Sequence, residues 1–175
     1  MDILQAIHGR RSVGKVRPDP VPRALVEELL EAARWAPTHH RTEPWRFWVF
    51  SGQGRDRLAE AFAAAGGDKQ RNKTYRAPVV VAVGCVPQPA ADSPQEELLA
   101  VGAAVQNLLL AAQAKGLAAI WRSGTMVYDP VVRELLGLAE KDVLVGFVYL
   151  GFPDPDVTVL TGRRSSVEER TVWYE

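Results

Sequence analysis

Three short stretches hold side chains suited to binding a small molecule. In HGRRSVGKVRPDP, His8 to Pro20, two adjacent arginines, Arg10 and Arg11, stand before Ser12. Two forked guanidinium groups and a hydroxyl suit a doubly charged phosphate, because charge-assisted hydrogen bonds are roughly twice as strong as neutral ones. Following a short helix, the same arginines could instead cap its carbonyls and face water. In WAPTHHRTEPWRFWVF, Trp35 to Phe50, a polar loop with His39 and His40 joins a helix to an aromatic strand. Adjacent loop histidines diverge, and only His8 and Cys85 remain as other soft ligands, so the pattern does not support a metal. Trp35 and His39 could meet a planar aromatic ligand through ring faces and nitrogen donors, or form an ordinary polar turn beside a core tryptophan. In IWRSG, a strand delivers Trp121, Arg122 and Ser123 ahead of Gly124. That supplies an aromatic face, a permanent cation and a hydroxyl together, or merely a core tryptophan and a surface arginine.

Other chemistries lack their marks. There is no GxGxxG in a strand-turn-helix setting, no phosphate-binding P-loop, no GxSxG elbow and no HExxH. Lys+Arg and Asp+Glu both number 21, so no bulk positive field draws nucleic acid or an acidic membrane surface. A chain of 175 residues, 47% hydrophobic and 24% charged, has the balance of one domain spanning 1–175 with a sizeable core. The N-terminus lacks the order of a secretory signal, and no uninterrupted apolar run of about 18 residues suggests a membrane span, so a cytoplasmic protein is expected. The single cysteine, Cys85, sits in VVVAVGCVP as a filler of core volume, and no intrachain disulfide is possible.

The elements that must position these residues follow from periodicity. DILQAIHG reads as a helix with Asp2 at its N-cap and Gly9 at its stop, so the paired arginines follow a helix end. VPRALVEELLEAARWAP puts Leu25, Val26, Leu29, Leu30 and Ala33 on one face of a helix that ends before Pro37. WRFWVFSG and APVVVAVGCVP read as strands, with a helix near 55–65 between them, closed by Gly66 and Gly67. From Glu96 to Gly116 the pattern is a helix apolar nearly all round, which calls for burial on most faces and, in so small a protein, for a second subunit. AAIWRSG reads as a buried strand, DPVVRELLG as a helix capped by Asp129, and VLVGFVYLG as a last buried strand. From Pro153 onward no helical pattern is convincing, yet the tail ends in Trp173 and Tyr174. Alternation of strands and helices by itself predicts a parallel α/β sheet.

Taken in order, RRSVGKV, AARWAPTHHRTEPWRFWVF, the long apolar helix, AAIWRSG, DPVVRELLG and VGFVYLGFP resemble the nitroreductase family of FMN-dependent oxidoreductases, closest to a small bacterial subgroup. The resemblance covers essentially the whole chain apart from loops around 66–73 and 87–95. It implies an α+β fold with a central, mainly antiparallel sheet flanked by helices, and a homodimer whose C-terminal extension embraces the partner subunit. It matches Arg10, Arg11 and Ser12 to the N-terminal FMN-binding segment, and Trp121, Arg122 and Ser123 to the later one. Trp35 and His39 match positions that reach FMN from the partner subunit. The implied activity carries electrons from NAD(P)H through FMN to a small nitroaromatic or quinone-type acceptor by a ping-pong mechanism, with no catalytic side chain beyond the cofactor. A specialised flavin-dependent dehydrogenase or dehalogenase of the same fold, or a non-catalytic flavin-binding protein, is the alternative. Arg122 or Lys15 is the expected cation beside the flavin N1 edge. Many relatives place a lysine two residues after the serine, where this chain has Gly14 and then Lys15.

Overall fold

The computed structural model describes residues 1–89, 93–159, 162 and 164–175, so parts of the 87–95 loop and of the tail after Pro153 lie outside the described residues. Its centre is a four-stranded sheet of β1 (Trp45–Ser51), β2 (Val79–Cys85), β3 (Ala118–Arg122) and β4 (Val143–Gly151), in the order β1-β2-β4-β3. Every pairing is antiparallel, which corrects the parallel sheet expected from alternation and agrees with the resemblance. The reason lies in the connections. After β1 the chain runs out along α3 (Gly54–Gly66), turns at Gly67 with φ 72°, and returns through α4 (Asp68–Arg71) and a 3-10 turn at Asn72–Arg76. This double pass brings Val79 back beside Ser51, so β2 must run opposite to β1. Only the connection from β2 through the helix α5 (Pro94–Ala114) to β3 is a single helical crossover, and β4 separates its two strands.

The sheet carries a core on each face. Val79, Val81, Val83, Val148 and Leu150 pack with α2 (Arg23–Ala33) and α5 (Pro94–Ala114) on one side. Val80, Ala82, Phe147 and Tyr149 pack with Leu58 and Phe62 of α3 and Val132 of α6 (Pro130–Leu135) on the other. β2 is buried along its whole length, which is why its sequence is a continuous apolar run rather than an alternation. α5 is long and apolar enough to cross a bilayer by length and composition alone, but its Val101, Ala104, Val105, Leu108 and Ala112 face are buried against the sheet and α2. Leu98 and Leu99 near its N-terminus stay exposed, at 39% and 67%. The unbroken apolar pattern therefore finds only part of its burial within one chain.

α1 (Ile3–Gly9) is fixed by a capping box in which Asp2 accepts from Leu4 and Gln5 backbone N–H groups while Gln5 returns a bond to Asp2. Beyond it the chain runs along the outer edge of β3: Ser12 bridges Ala119 in parallel, and the Val13 N–H donates to the Ala119 carbonyl at 3.0 Å. It then crosses to the exit of β4, where Val16 bridges Pro153 and the Arg17 N–H donates to the Phe152 carbonyl at 2.9 Å. The segment bearing the paired arginines is thus stitched to the strand that delivers Trp121 and Arg122.

Candidate functional site

The two cation-bearing segments meet at Gly14. A β-carbon there would lie 3.0 Å from Nη2 of Arg122 and 3.7 Å from Ile120, so the absence of a side chain lets the Arg122 guanidinium lie against the N-terminal strand. Arg10 is half-buried and Ser12 exposed, directly beside Ala119 on β3. Arg11 has turned inward: its Nη1 donates to the carbonyls of His8, at 2.6 Å, and Arg10, at 2.9 Å, and its Nε is buried. It closes the C-terminal end of α1, the capping role that the tripeptide also allowed, and so fixes the backbone from which Arg10 and Ser12 project. Lys15 reaches Asp154 at 3.3 Å, and the Asp154 N–H donates to the Lys15 carbonyl. Chiefly the Asp156 backbone N–H, and then Lys15, hold the Asp154 carboxyl below its ordinary range. Of the two cations considered for the flavin edge, Arg122 is the one that turns toward the cavity described next.

β3 is buried only at its start; from Ile120 onward it opens to solvent, because it is an edge strand and its last residues leave the core. This differs from the buried strand expected along its length, and it leaves Trp121, Arg122 and Ser123 accessible. Trp121 is seated by a bulge in β4, where the register slips between Val83 and Gly84. Gly146, at φ 152°, leaves room for the indole, whose Nε1 donates to the Val145 carbonyl at 3.4 Å; a β-carbon on Gly146 would stand 2.4 Å from that nitrogen. Arg122 and Ser123 line a cavity of about 250 Å³ together with Lys73, Arg76, Thr125 and Tyr149. Among the described residues, three cations and no carboxylate line it. Burial raises the Tyr149 phenol above its ordinary pKa, against the opposing pull of Arg122 and Arg76, and Arg122 lies over its ring at 6.0 Å. Lys73 and Arg76 carry no mark in the sequence that separates them from surface cations; only the double pass through α3 and α4 brings them here.

Trp35 and His39 lie elsewhere. Trp35 follows α2 and is 74% exposed, its Nε1 donating to Glu31 at 3.0 Å while Arg34 donates to the other oxygen at 2.6 Å. Those two donors, Arg34 first, hold the Glu31 carboxyl below its ordinary range. His39 opens a 3-10 turn, His39–Arg41, and its ring lies at 60° to that of His40 with centroids 4.1 Å apart. The turn leads directly into β1, the edge strand opposite β3, so three strand spacings, about 14 Å, separate the two edges. Within one chain His39 approaches β1, whereas Ser12, Gly14 and Arg122 lie along β3 at the other edge. Cys85, on β2, is buried and its thiol is pushed up to about 11, first by desolvation and then by Glu97 and Asp142. It fills core volume.

Comparison with known proteins adds a history to this arrangement. The chain is 38% identical over 164 residues to the Escherichia coli protein named "Putative NAD(P)H nitroreductase YdjA", covering 87% of this chain and 89% of that one. It is 32% identical over 177 residues to the Bacillus subtilis protein named "Putative NAD(P)H nitroreductase YfhC", covering 93% and 91%. A nitroreductase-like family protein from Bacillus cereus superposes with a TM-score of 0.89 at 29% identity, covering 100% of this chain and 97% of its own. A structure from Desulfovibrio desulfuricans, described as a "putative nitroreductase in complex with FMN", superposes with a TM-score of 0.80 at 27% identity, covering 100% and 98%. The Nitroreductase family pattern itself spans residues 7–152, from the end of α1 through all four strands and both cation-bearing segments, and this chain belongs to that family.

Proposed function

We propose that the protein is an FMN-dependent oxidoreductase that passes electrons from NAD(P)H to a nitroaromatic or quinone-type acceptor by a ping-pong mechanism, working as a cytoplasmic homodimer of one domain per chain. The observation that carries this reading is the seating of the N-terminal segment along β3, with Ser12 beside Ala119 and Gly14 against the Arg122 guanidinium, next to a cavity whose described lining holds Lys73, Arg76 and Arg122 and no carboxylate. That donor set fits a ligand with a phosphate at one end and carbonyl oxygens and ring nitrogens as acceptors at the other. The FMN-bound and NAD(P)H-linked relatives point to the same ligand.

In this reading Arg10 and Ser12 hold the phosphate, and Arg11 fixes the turn that aims them. Trp121, on its Gly146 seat, offers a flat wall, and Ser123 a hydroxyl. Arg122, Lys73 and Arg76 face the polar edge of the ring system and stabilise negative charge there, a role in which fixed cations act without reorganisation. Lys15, paired with Asp154, serves as a clasp. Bound FMN supplies the redox chemistry, taking hydride from NAD(P)H and returning electrons to the acceptor, so the protein's task is position and electrostatics. Trp35 and His39 stand across the sheet from this cluster and serve the site of the other subunit. The open edge of β1 and the exposed Val172, Trp173 and Tyr174 are the surfaces that such a dimer covers.

The purified protein is expected to be yellow and to release about one FMN per chain on denaturation. It is also expected to oxidise NAD(P)H with menadione or a nitrofuran, giving parallel initial-rate lines. A colourless protein that takes up FAD or neither flavin overturns the reading.

A further inference from the structure

Glu97 is a carboxylate only 3% exposed, in the first turns of α5 and outside the cluster described above. A buried carboxylate is costly unless hydrogen bonds satisfy it. Two donors do so, and they come from two different connections. The Thr42 hydroxyl donates to Oε1, and the Gln88 backbone N–H donates to Oε2 at 2.8 Å. The N-terminus of α5, with Ser93 at its cap, adds a favourable dipole for negative charge.

Thr42 occupies a special place. His40, Arg41 and Glu43 all have positive φ, 50°, 55° and 46°, a region in which side-chain-bearing residues are strained. Such backbone persists only where its surroundings over-determine it, and it clusters at functional sites. Thr42 itself has φ −68°, its side chain reaches Glu97, and its N–H donates to the His39 carbonyl at 3.2 Å. A chain of hydrogen bonds thus runs from the core helix through Thr42 to the backbone of His39.

We propose that Glu97 is a positioning residue that, through Thr42, holds the His39–Glu43 turn in its strained form so that His39 is presented preformed to the flavin site of the other subunit. This rests on the shared-site reading above. Preorganisation of this kind removes an ordering cost that binding would otherwise carry.

The test uses the full-length homodimer, titrated with FMN as the apoprotein, with hydrogen exchange of the 38–43 amides measured before flavin is added. Thr42→Val keeps the shape of the side chain and removes the hydroxyl; Thr42→Ser keeps the hydroxyl. Thr42→Val is expected to raise the FMN Kd about tenfold and to speed exchange of the turn, as is Glu97→Ala, while Thr42→Ser stays within about twofold of wild type. In a His39→Ala background, Thr42→Val is expected to add nothing further, because the residue that it positions is gone. Unchanged exchange in Thr42→Val, wild-type FMN affinity, or a full additional loss on top of His39→Ala each overturns the proposal. Should His39→Ala alone leave FMN affinity untouched, the shared-site reading fails instead, and the exchange of the turn still decides whether Glu97 holds it.

Discussion

Arg10 and Arg11 are neighbours in different settings, and substitution should separate them. Arg11 is bound to the carbonyls at the end of α1, whereas Arg10 stands beside Ser12 at the edge of β3. Arg10→Ala is expected to weaken FMN retention tenfold to over a hundredfold, since a hydrogen bond to a charged group is worth about 1.5–3 kcal/mol. Lysine should recover only part of this for want of the planar fork, and Arg57→Ala on the exposed face of α3 should cost nothing measurable by flavin titration. Arg11→Ala should chiefly lower the melting temperature of the apoprotein. The Lys15–Asp154 clasp gives a pH signature. Because the folded Asp154 carboxyl titrates below its ordinary value, its stabilising effect is complete above the unfolded carboxylate range and is lost as pH falls through the folded pKa. Asp154→Asn should therefore melt below wild type at neutral pH and converge with it in acid, as read by thermal scans of the apoprotein. At this scale the residue types were visible in the sequence but the directions of their side chains were not. RRS looks the same whether an arginine caps a helix or meets a phosphate, and the choice is made by how α1 ends.

The elements were largely legible because each is bounded by local chemistry: Asp2 and Asp129 cap α1 and α6, Pro130 opens α6, and the valine run of β2 admits no polar face. Strand direction was not legible. It depends on whether a connection crosses the sheet once or goes out and back, and the turn at Gly67 that decides this for β1 and β2 is a single backbone conformation. The bulge in β4 was equally silent, since VLVGFVYLG reads as an uninterrupted strand. Its structural effect is direct, because Gly146 seats Trp121. Gly146→Ala should destabilise the apoprotein by about 2 kcal/mol or more in denaturant titrations, through a strained φ and contacts at 2.4 Å with the indole nitrogen and 2.7 Å with the Arg122 carbonyl. The same change should weaken flavin binding in whatever protein remains folded, because Trp121 and Arg122 are both displaced. A stable Gly146→Ala protein with native flavin affinity would show that the bulge does not govern the site.

At the scale of the molecule, the residues proposed to hold FMN lie toward opposite edges of one chain's sheet. The 10–14 segment and Arg122 lie along β3, and His39 lies at the approach to β1, with β2 and β4 between the two edges. Ile3 and Leu4 on α1, Leu99 on α5, and Val172, Trp173 and Tyr174 in the tail stand more than half exposed, and they are the apolar groups that a second chain would cover in the proposed dimer. If two chains pair so that each supplies the half that the other lacks, neither half binds FMN well alone, and dissociation should release flavin. Mixing tests this without any assumption about shape. Dimers of Arg10→Ala alone and of His39→Ala alone are each expected to lose FMN. In a heterodimer of the two, one site collects both lesions and the other collects neither, so flavin should return to about half of the sites. Co-expression with two affinity tags isolates the heterodimer, and absorbance of bound FMN against protein counts the occupied sites. Recovery of no flavin, with tagged wild-type dimers retaining theirs, rejects the shared site, and a flavin-bound monomer in sedimentation would reject it without any mutation.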